Sequence, residues 1–213
     1  MLDYPGYLSS ILWFCGCKLS CSYCYNPNIV LAQEGQKTEE DILVFLSQRT
    51  KFIDAIVLSG GECTDYHNIL DFCIELKQMG FKVKIDTNGT NPNTLQSLIQ
   101  NDLVDYIAID YKAPVNKYFQ ICKRDMFDAF SDSLDILFDS NMDFEVRSTI
   151  GYNGIDVHDI QLIADDLFKR GYKKTYFLQK FIKSEQILGC AEYSSKPFDC
   201  SLLNTSLDIE MRS

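Results

Sequence analysis

Positive charge is in short supply in this 213-residue chain. Twenty Lys and Arg stand against 30 Asp and Glu, a formal net charge of -10. That balance argues against a broad nucleic-acid or anionic-membrane surface, because both require clustered basic residues. Long hydrophobic runs are missing too. The longest, such as Ile11-Leu12-Trp13-Phe14-Cys15, fall far short of the roughly 20 residues that cross a bilayer. The opening Met1-Leu2-Asp3-Tyr4-Pro5-Gly6 has neither the basic start nor the apolar stretch of a secretory signal. Nothing repeats internally, and no stretch is low in complexity. Histidine is limited to His67 and His158, both at predicted helix starts, where a surface or capping role is expected rather than ligation. These absences predict a cytoplasmic protein with no membrane or nucleic-acid partner, whose thiols stay reduced. What is plentiful is cysteine. There are nine, an odd number that cannot pair off completely, in a chain too long to need disulfide staples.

At 46% hydrophobic and 23% charged, the chain can bury a core as one domain, or one domain plus a tail. Apolar, β-branched runs of strand length alternate with segments of helical period. The expected strands are Ser9–Phe14, Ala55–Ser59, Lys82–Asp86, Tyr106–Asp110, Glu145–Ile150 and Thr175–Leu178. Several are apolar on both faces, as in a parallel sheet covered by helices. Helices are expected after the acidic start Thr38-Glu39-Glu40-Asp41, over Ile69 to Met79 with a stop at Gly80, and over Asn93–Gln100, Phe127–Asp139 and Asp156–Lys169, the last stopped at Gly171. Six βα units with right-handed crossovers make an open or partial barrel, short of the eight units of a full one. The chemistry of such a fold sits on loops at the C-terminal ends of its strands. From about Lys183 to Ser213 the periodicity fades. The domain reading is therefore a barrel over residues 1–182 and a tail over 183–213.

Cys17-Lys18-Leu19-Ser20-Cys21-Ser22-Tyr23-Cys24 directly follows the first strand. Three thiols on one loop can converge on a single centre, and a metal or cluster rewards that spacing. A structural zinc site normally takes four ligands in two knuckles, yet no second Cys-x-x-Cys and no His pair follows. An iron–sulfur cube held by three cysteines keeps one iron free of protein ligands, an open place for substrate chemistry. Cys15, a close neighbour within the strand, is expected to point elsewhere. Three coincidental core cysteines are the plain alternative.

With this loop, the chain resembles the radical S-adenosylmethionine (SAM) superfamily, whose hallmark is Cys-x3-Cys-x2-Cys after the first strand of a partial (β/α)6 barrel. Cys17, Cys21 and Cys24 match it, and Tyr23 fills the aromatic position. Leu58-Ser59-Gly60-Gly61-Glu62, after the second strand, resembles the segment that binds the amino group of SAM. Glycines there admit a backbone carbonyl to the ammonium, and a carboxylate can pair with it.

The likeness narrows with Asp3-Tyr4-Pro5-Gly6, Cys24-Tyr25-Asn26-Pro27, Lys84-Ile85-Asp86-Thr87-Asn88-Gly89, Val104-Asp105-Tyr106, Asp110-Tyr111-Lys112-Ala113-Pro114, Arg147 and Leu178-Gln179-Lys180-Phe181. Together, over residues 3 to 182, these resemble the activating proteins of anaerobic ribonucleoside-triphosphate reductase in their short, single-cluster form. The resemblance implies a [4Fe–4S] cluster on Cys17, Cys21 and Cys24, reduced by flavodoxin or ferredoxin. SAM binds the open iron and is cleaved, and the adenosyl radical takes a hydrogen from a glycine of the partner reductase. It further implies that Tyr23 borders the adenine and that Gly60, Gly61 and Glu62 hold the methionine amine. Asp86 and Asn88 suit the carboxylate region or the ribose. Asp110, Lys112, Arg147 and Gln179 lie at corresponding strand ends, with Arg147 suited to the SAM carboxylate. The bland reading of these polar strand ends is capping or loop hydrogen bonding.

The chain departs from that pattern at Cys15, at Cys63 and Gly151 where proline is usual, and at Tyr25 where histidine is common. Its start so close to Asp3-Tyr4-Pro5-Gly6 suggests that a few N-terminal residues are missing. Cys73 reads as core, and Cys190 and Cys200 fall in the tail. With no ferredoxin-like insertion between Cys24 and Gly60, one cluster and an external donor are expected. Two other readings stay open: a radical SAM enzyme acting on a small molecule, similar to the carboxy-deazaguanine synthases, and a non-catalytic zinc or iron–sulfur module.

Overall fold

Strands apolar on both faces must be covered on both sides, and the computed structural model arranges them so. It describes residues 3–212; Met1, Leu2 and Ser213 lie outside the described residues, and with them part of the opening segment weighed as a signal. The strands are β1 Ser9–Phe14, β2 Ala55–Gly60, β3 Lys82–Thr87, β4 Tyr106–Asp110, β5 Phe144–Ile150, β6 Tyr176–Lys180 and β7 Ile209–Arg212. They form one sheet in sequence order, every neighbour parallel. The helices are α1 Pro27–Val30, α2 Glu39–Ser47, α3 Ile69–Gln78, α4 Pro92–Gln100, α5 Val115–Cys122, α6 Phe127–Asp139 and α7 Val157–Lys169. The sheet curves into a partial barrel, left open because β1 and β7 do not pair.

Local chemistry accounts for the helix ends. Thr38 Oγ1 accepts from Asp41 N (3.1 Å) and Asp41 Oδ2 from Thr38 N (3.2 Å), a reciprocal cap that starts α2. Asp156 caps α7 in the same way with Asp159. Gly80 and Gly171 take φ of +88° and +85° just beyond α3 and α7, where a side chain would be strained.

The outer face of the sheet packs under the helices with Ile56, Leu58, Val83, Ile85, Ile107, Ile109, Val146 and Leu178, all fully buried. Each contributes about 1.5–3 kcal/mol of burial, which makes this layer the main source of stability. Tyr4, Tyr7, Ile11, Ala55, Val57 and Tyr106 form a separate apolar cluster at the lower end of the inner face. Toward the C-terminal strand ends that face carries the polar side chains of Asp86, Asp110, Arg147 and Gln179, with Trp13 among them.

Three elements were not expected from the sequence. α1 is a single turn, α5 follows Pro114, and β7 arises within the 183–213 segment. β7 has four residues and no preceding helix. The connection from β6 holds a bridge from Tyr193 to Tyr152 and a single 3-10 turn at Cys200–Leu202, so neither periodicity nor a βα unit announces it. Among the described residues no helix is long and apolar enough to cross a membrane.

Candidate active site

The parallel strands bring their C-terminal ends together around a cavity of about 320 Å³, a size suited to a small ligand. Its wall includes Cys17, Cys21, Tyr23 and Cys24 from the loop after β1, and Gly60 and Gly61 from the end of β2. It also includes Asp86 on β3 and Asn88 just after it, Asp110 at the end of β4 and Lys112 beyond it, Arg147 on β5 and Gln179 on β6. Residues far apart in sequence thus share one wall.

The cysteine loop is shaped by backbone contacts on both sides. Ser20 N and Ser22 N donate to the carbonyls of Cys122 (3.0 Å) and Ile121 (2.9 Å), the free C-terminal acceptors of α5. From the other side, Leu188 N donates to Cys24 O (2.9 Å) and Ala191 N to Ser22 O (3.3 Å). Gly189 lies so close to Ser22 that a Cβ there would stand 2.5 Å from its carbonyl oxygen. The 183–213 segment therefore helps to form the site. Asn88 Nδ2 donates to Cys17 Sγ at 3.4 Å, tying the loop to the end of β3.

Gly60 and Gly61 allow β1 and β2 to stay paired up to the cysteine loop. Gly61 N donates to Phe14 O (2.8 Å) and Glu62 N to Gly16 O (2.9 Å). A Cβ on Gly60 would fall 2.5 Å from Phe14 backbone atoms, and one on Gly61 would overlap the Gly16 carbonyl. Glu62 itself lies beneath the wall rather than in it. It is 1% exposed, and its carboxylate accepts from Thr64 Oγ1 (2.5 Å), Thr64 N (3.1 Å), Thr87 Oγ1 (2.7 Å) and Asn88 N (2.7 Å). Burial pushes its carboxyl up, against the pull of those four donors. In this position Glu62 orders the end of β3.

The strand-end charges form a chain. Arg147 Nε donates to Asp110 Oδ1 (2.9 Å), and its Nη1 stands 3.4 Å from Asp86 Oδ1. Lys84, 3% exposed, approaches that same oxygen at 3.1 Å, and Lys112 pairs with Asp110 at 3.3 Å. Asp86 Oδ1 nonetheless accepts no hydrogen bond of good geometry, although two cations lie beside it. Burial would raise the Asp110 carboxyl, but Arg147 and Lys112 outweigh it and hold it below the usual aspartate range. Tyr23 packs on Tyr152 at 4.8 Å, with Lys112 Nζ 5.8 Å from its ring.

The donor set suits an iron–sulfur cluster better than a single ion. Burial, with the Glu62 charge, pushes the Cys17 thiol up to about 12. Contact with the Cys122 thiol and burial raise Cys21, and burial raises Cys24. Such thiols become thiolates only beside concentrated positive charge, which a metal centre supplies. Among the described residues no three His, Cys, Asp or Glu side chains gather closely enough for one metal ion. Zinc needs its thiolates about 2.3 Å from one point, whereas a cube offers each cysteine its own iron and so spaces them further apart.

Asp3, Ile11, Trp13, Ser59, Tyr25, Asn26 and Thr149 also line the cavity, though the sequence reading assigned them no site role. Strand parity could have found Trp13, Ser59 and Thr149. Trp13 and Ser59 are register partners, and Thr149 follows Arg147 by two and faces Gln179.

Comparison with known proteins agrees with this geometry. The model of the radical SAM superfamily matches residues 11–167. A protein of Methanocaldococcus jannaschii, provisionally named a glycyl-radical enzyme activating enzyme, is 37% identical over 169 residues, 76% of this chain and 70% of that one. The pyruvate formate-lyase-activating enzyme of Clostridium pasteurianum is 29% identical over 118 residues, 53% of this chain and 48% of its own. Among solved structures, Streptococcus suis SuiB bound to S-adenosylmethionine superposes with a TM-score of 0.70 at 13% identity, covering 100% of this chain and 52% of SuiB. Native anSMEcpe with bound AdoMet gives 0.65 at 16%, covering 81% and 50%. The chain thus spans about half the length of the Clostridium relative and of both solved structures.

Proposed function

The chain belongs to the radical SAM superfamily, and on that premise we propose that it activates a glycyl-radical enzyme, the anaerobic ribonucleoside-triphosphate reductase. It is a radical SAM oxidoreductase whose cofactors are a [4Fe–4S] cluster and S-adenosylmethionine. The observation that carries the reading is the meeting of the cysteine loop and Gly60-Gly61 in one cavity, in a chain 37% identical to a relative named for activating glycyl-radical enzymes. The choice of reductase rests on Lys84–Gly89, Asp110–Pro114 and Leu178–Phe181, which resemble that activase group.

When bound, the cluster supplies the electron that cleaves SAM into methionine and a hydrogen-abstracting adenosyl radical. In this reading Cys17, Cys21 and Cys24 would hold the cluster through their thiolates. Gly60 and Gly61 present backbone to the SAM amine, while Glu62 stiffens the wall from beneath. Arg147, poised between Asp86 and Asp110, faces the carboxylate region, with Asn88, Lys112 and Gln179 beside it. Tyr23 borders the adenine. The apolar cluster at the lower end of the inner face keeps water from the reacting centre. Flavodoxin or ferredoxin supplies the electron, and the cytoplasm is the compartment where such a cluster survives.

Reduced protein, SAM and purified reductase mixed without oxygen should yield a glycine-centred doublet in electron paramagnetic resonance. SAM cleavage without a doublet would overturn the reductase as target. Deoxyadenosine formation that depends on a metabolite rather than a protein would favour small-molecule chemistry instead.

A further inference from the structure

Arg147 is one guanidinium among three carboxylates. It is bonded to Asp110 at 2.9 Å and stands 3.4 Å from Asp86 and 4.0 Å from Glu145. Asp86 and Asp110 belong to the cavity wall, whereas Glu145 lies outside that wall with its side chain 6% exposed. Which acid Arg147 engages therefore decides whether its charge faces the cavity.

The competitor for Glu145 comes from the last strand. Arg212 Nη1 donates to Glu145 Oε1 at 3.0 Å, the same oxygen that Arg147 approaches. Its guanidinium lies 3.3 Å from the centre of the Phe177 ring, a stacked setting that fixes its direction. Among the described residues, the other side-chain donor to Glu145 is the Tyr106 hydroxyl, at 3.3 Å. Glu210, 3.8 Å from Arg212 Nε and 61% exposed, competes weakly.

A nearly buried carboxylate stripped of its cation is costly, and the nearest remedy is a movement of Arg147 of about 1 Å toward Glu145. That movement would draw the guanidinium away from Asp110 and Asp86. We propose that Arg212 is a positioning residue: by saturating Glu145 it holds Arg147 toward the cavity, so the seventh strand sets the affinity for SAM. This rests on the reading above that Arg147 faces the SAM carboxylate.

Calorimetric titration of SAM into the anaerobically reconstituted protein tests the idea. Arg212→Gln keeps much of the stem over Phe177 but removes the charge. It should weaken SAM about tenfold, the lower end of the usual cost of losing a supporting partner. Arg212→Lys should stay within about threefold of the parent, and KM for SAM should rise in Arg212→Gln while kcat holds. The deciding result is suppression. If Arg212 acts through Glu145, adding Glu145→Gln to Arg212→Gln should restore affinity to that of Glu145→Gln alone, because the competing charge has gone. A merely structural arginine would not be rescued by a second loss. Unchanged affinity in Arg212→Gln, or a double variant as weak as the single one, overturns the proposal while leaving the radical SAM assignment intact. A parent protein that binds no SAM would overturn both. Should Arg212→Gln fail to accumulate, Glu145→Gln restoring its yield but not SAM affinity would also count against the proposal.

Discussion

On β3, Val83 and Ile85 turn outward beneath the helices, while Lys84 and Asp86 turn inward. On β5, Val146 and Ile150 face out, and Glu145 and Arg147 face in. The same strands therefore carry two kinds of surface. The outer one is aliphatic, closely packed and indifferent to the identity of any one partner. Toward the C-terminal strand ends the inner one is a chain of ions, Lys84–Asp86–Arg147–Asp110–Lys112, with Lys84 Nζ also donating to the Asp3 carbonyl at 2.5 Å. Hydrophobic burial is non-directional, so the outer face stabilises without choosing a geometry. Buried charges contribute little net stability but are demanding about direction, so the inner face fixes where functional groups point.

The sharpest test of that division compares two cysteines. Cys21→Ala should abolish deoxyadenosine formation from SAM, because Cys21 lies in the cavity wall. Cys73→Ala, on the helix side of the core, should leave it intact and cost about 1 kcal/mol in a denaturant melt. Detectable cleavage by Cys21→Ala would break the assignment of the loop. Next in size, Ile85→Ala should lower folding stability by about 2–5 kcal/mol while the SAM dissociation constant measured on folded protein stays within about twofold. If affinity collapsed as well, the two faces would not be separable. Smallest is Thr38→Ala, which removes the cap of α2 far from the cavity. It should cost about 1 kcal/mol in the same melt and leave SAM cleavage unaltered.

Much of this architecture is legible in the chain. Ser9–Phe14, Tyr106–Asp110 and Phe127–Asp139 begin and end as the periodicity predicts. Each carries an apolar pattern that its own residues set, so local rules and tertiary packing agree. β7 escapes because Ile209-Glu210-Met211-Arg212 is too short to show a period, and its place is set by pairing with β6. α5 escapes for a related reason: after Pro114 it offers two turns, with Val115 and Phe119 left exposed. The cysteine loop and the two glycines stand out because their chemistry is tied to close spacing. Glu62 shows the limit of that approach, since adjacency to Gly60-Gly61 suggests a ligand group while the chain direction after β2 turns its carboxylate beneath the wall to Thr64, Thr87 and Asn88.

By itself, the sequence determined the alternating βα order, the parallel sheet and the three-cysteine loop. Each depends on residues near one another in the chain, where period and spacing act directly. Only the tertiary structure decided that α5 and residues 188–191 hold that loop from opposite sides. It alone placed Arg212, 65 positions after Arg147, beside the carboxylate that Arg147 also approaches. Hydrogen bonds and ion pairs act over a few ångströms regardless of distance along the chain, so these partnerships exist only once the barrel has formed.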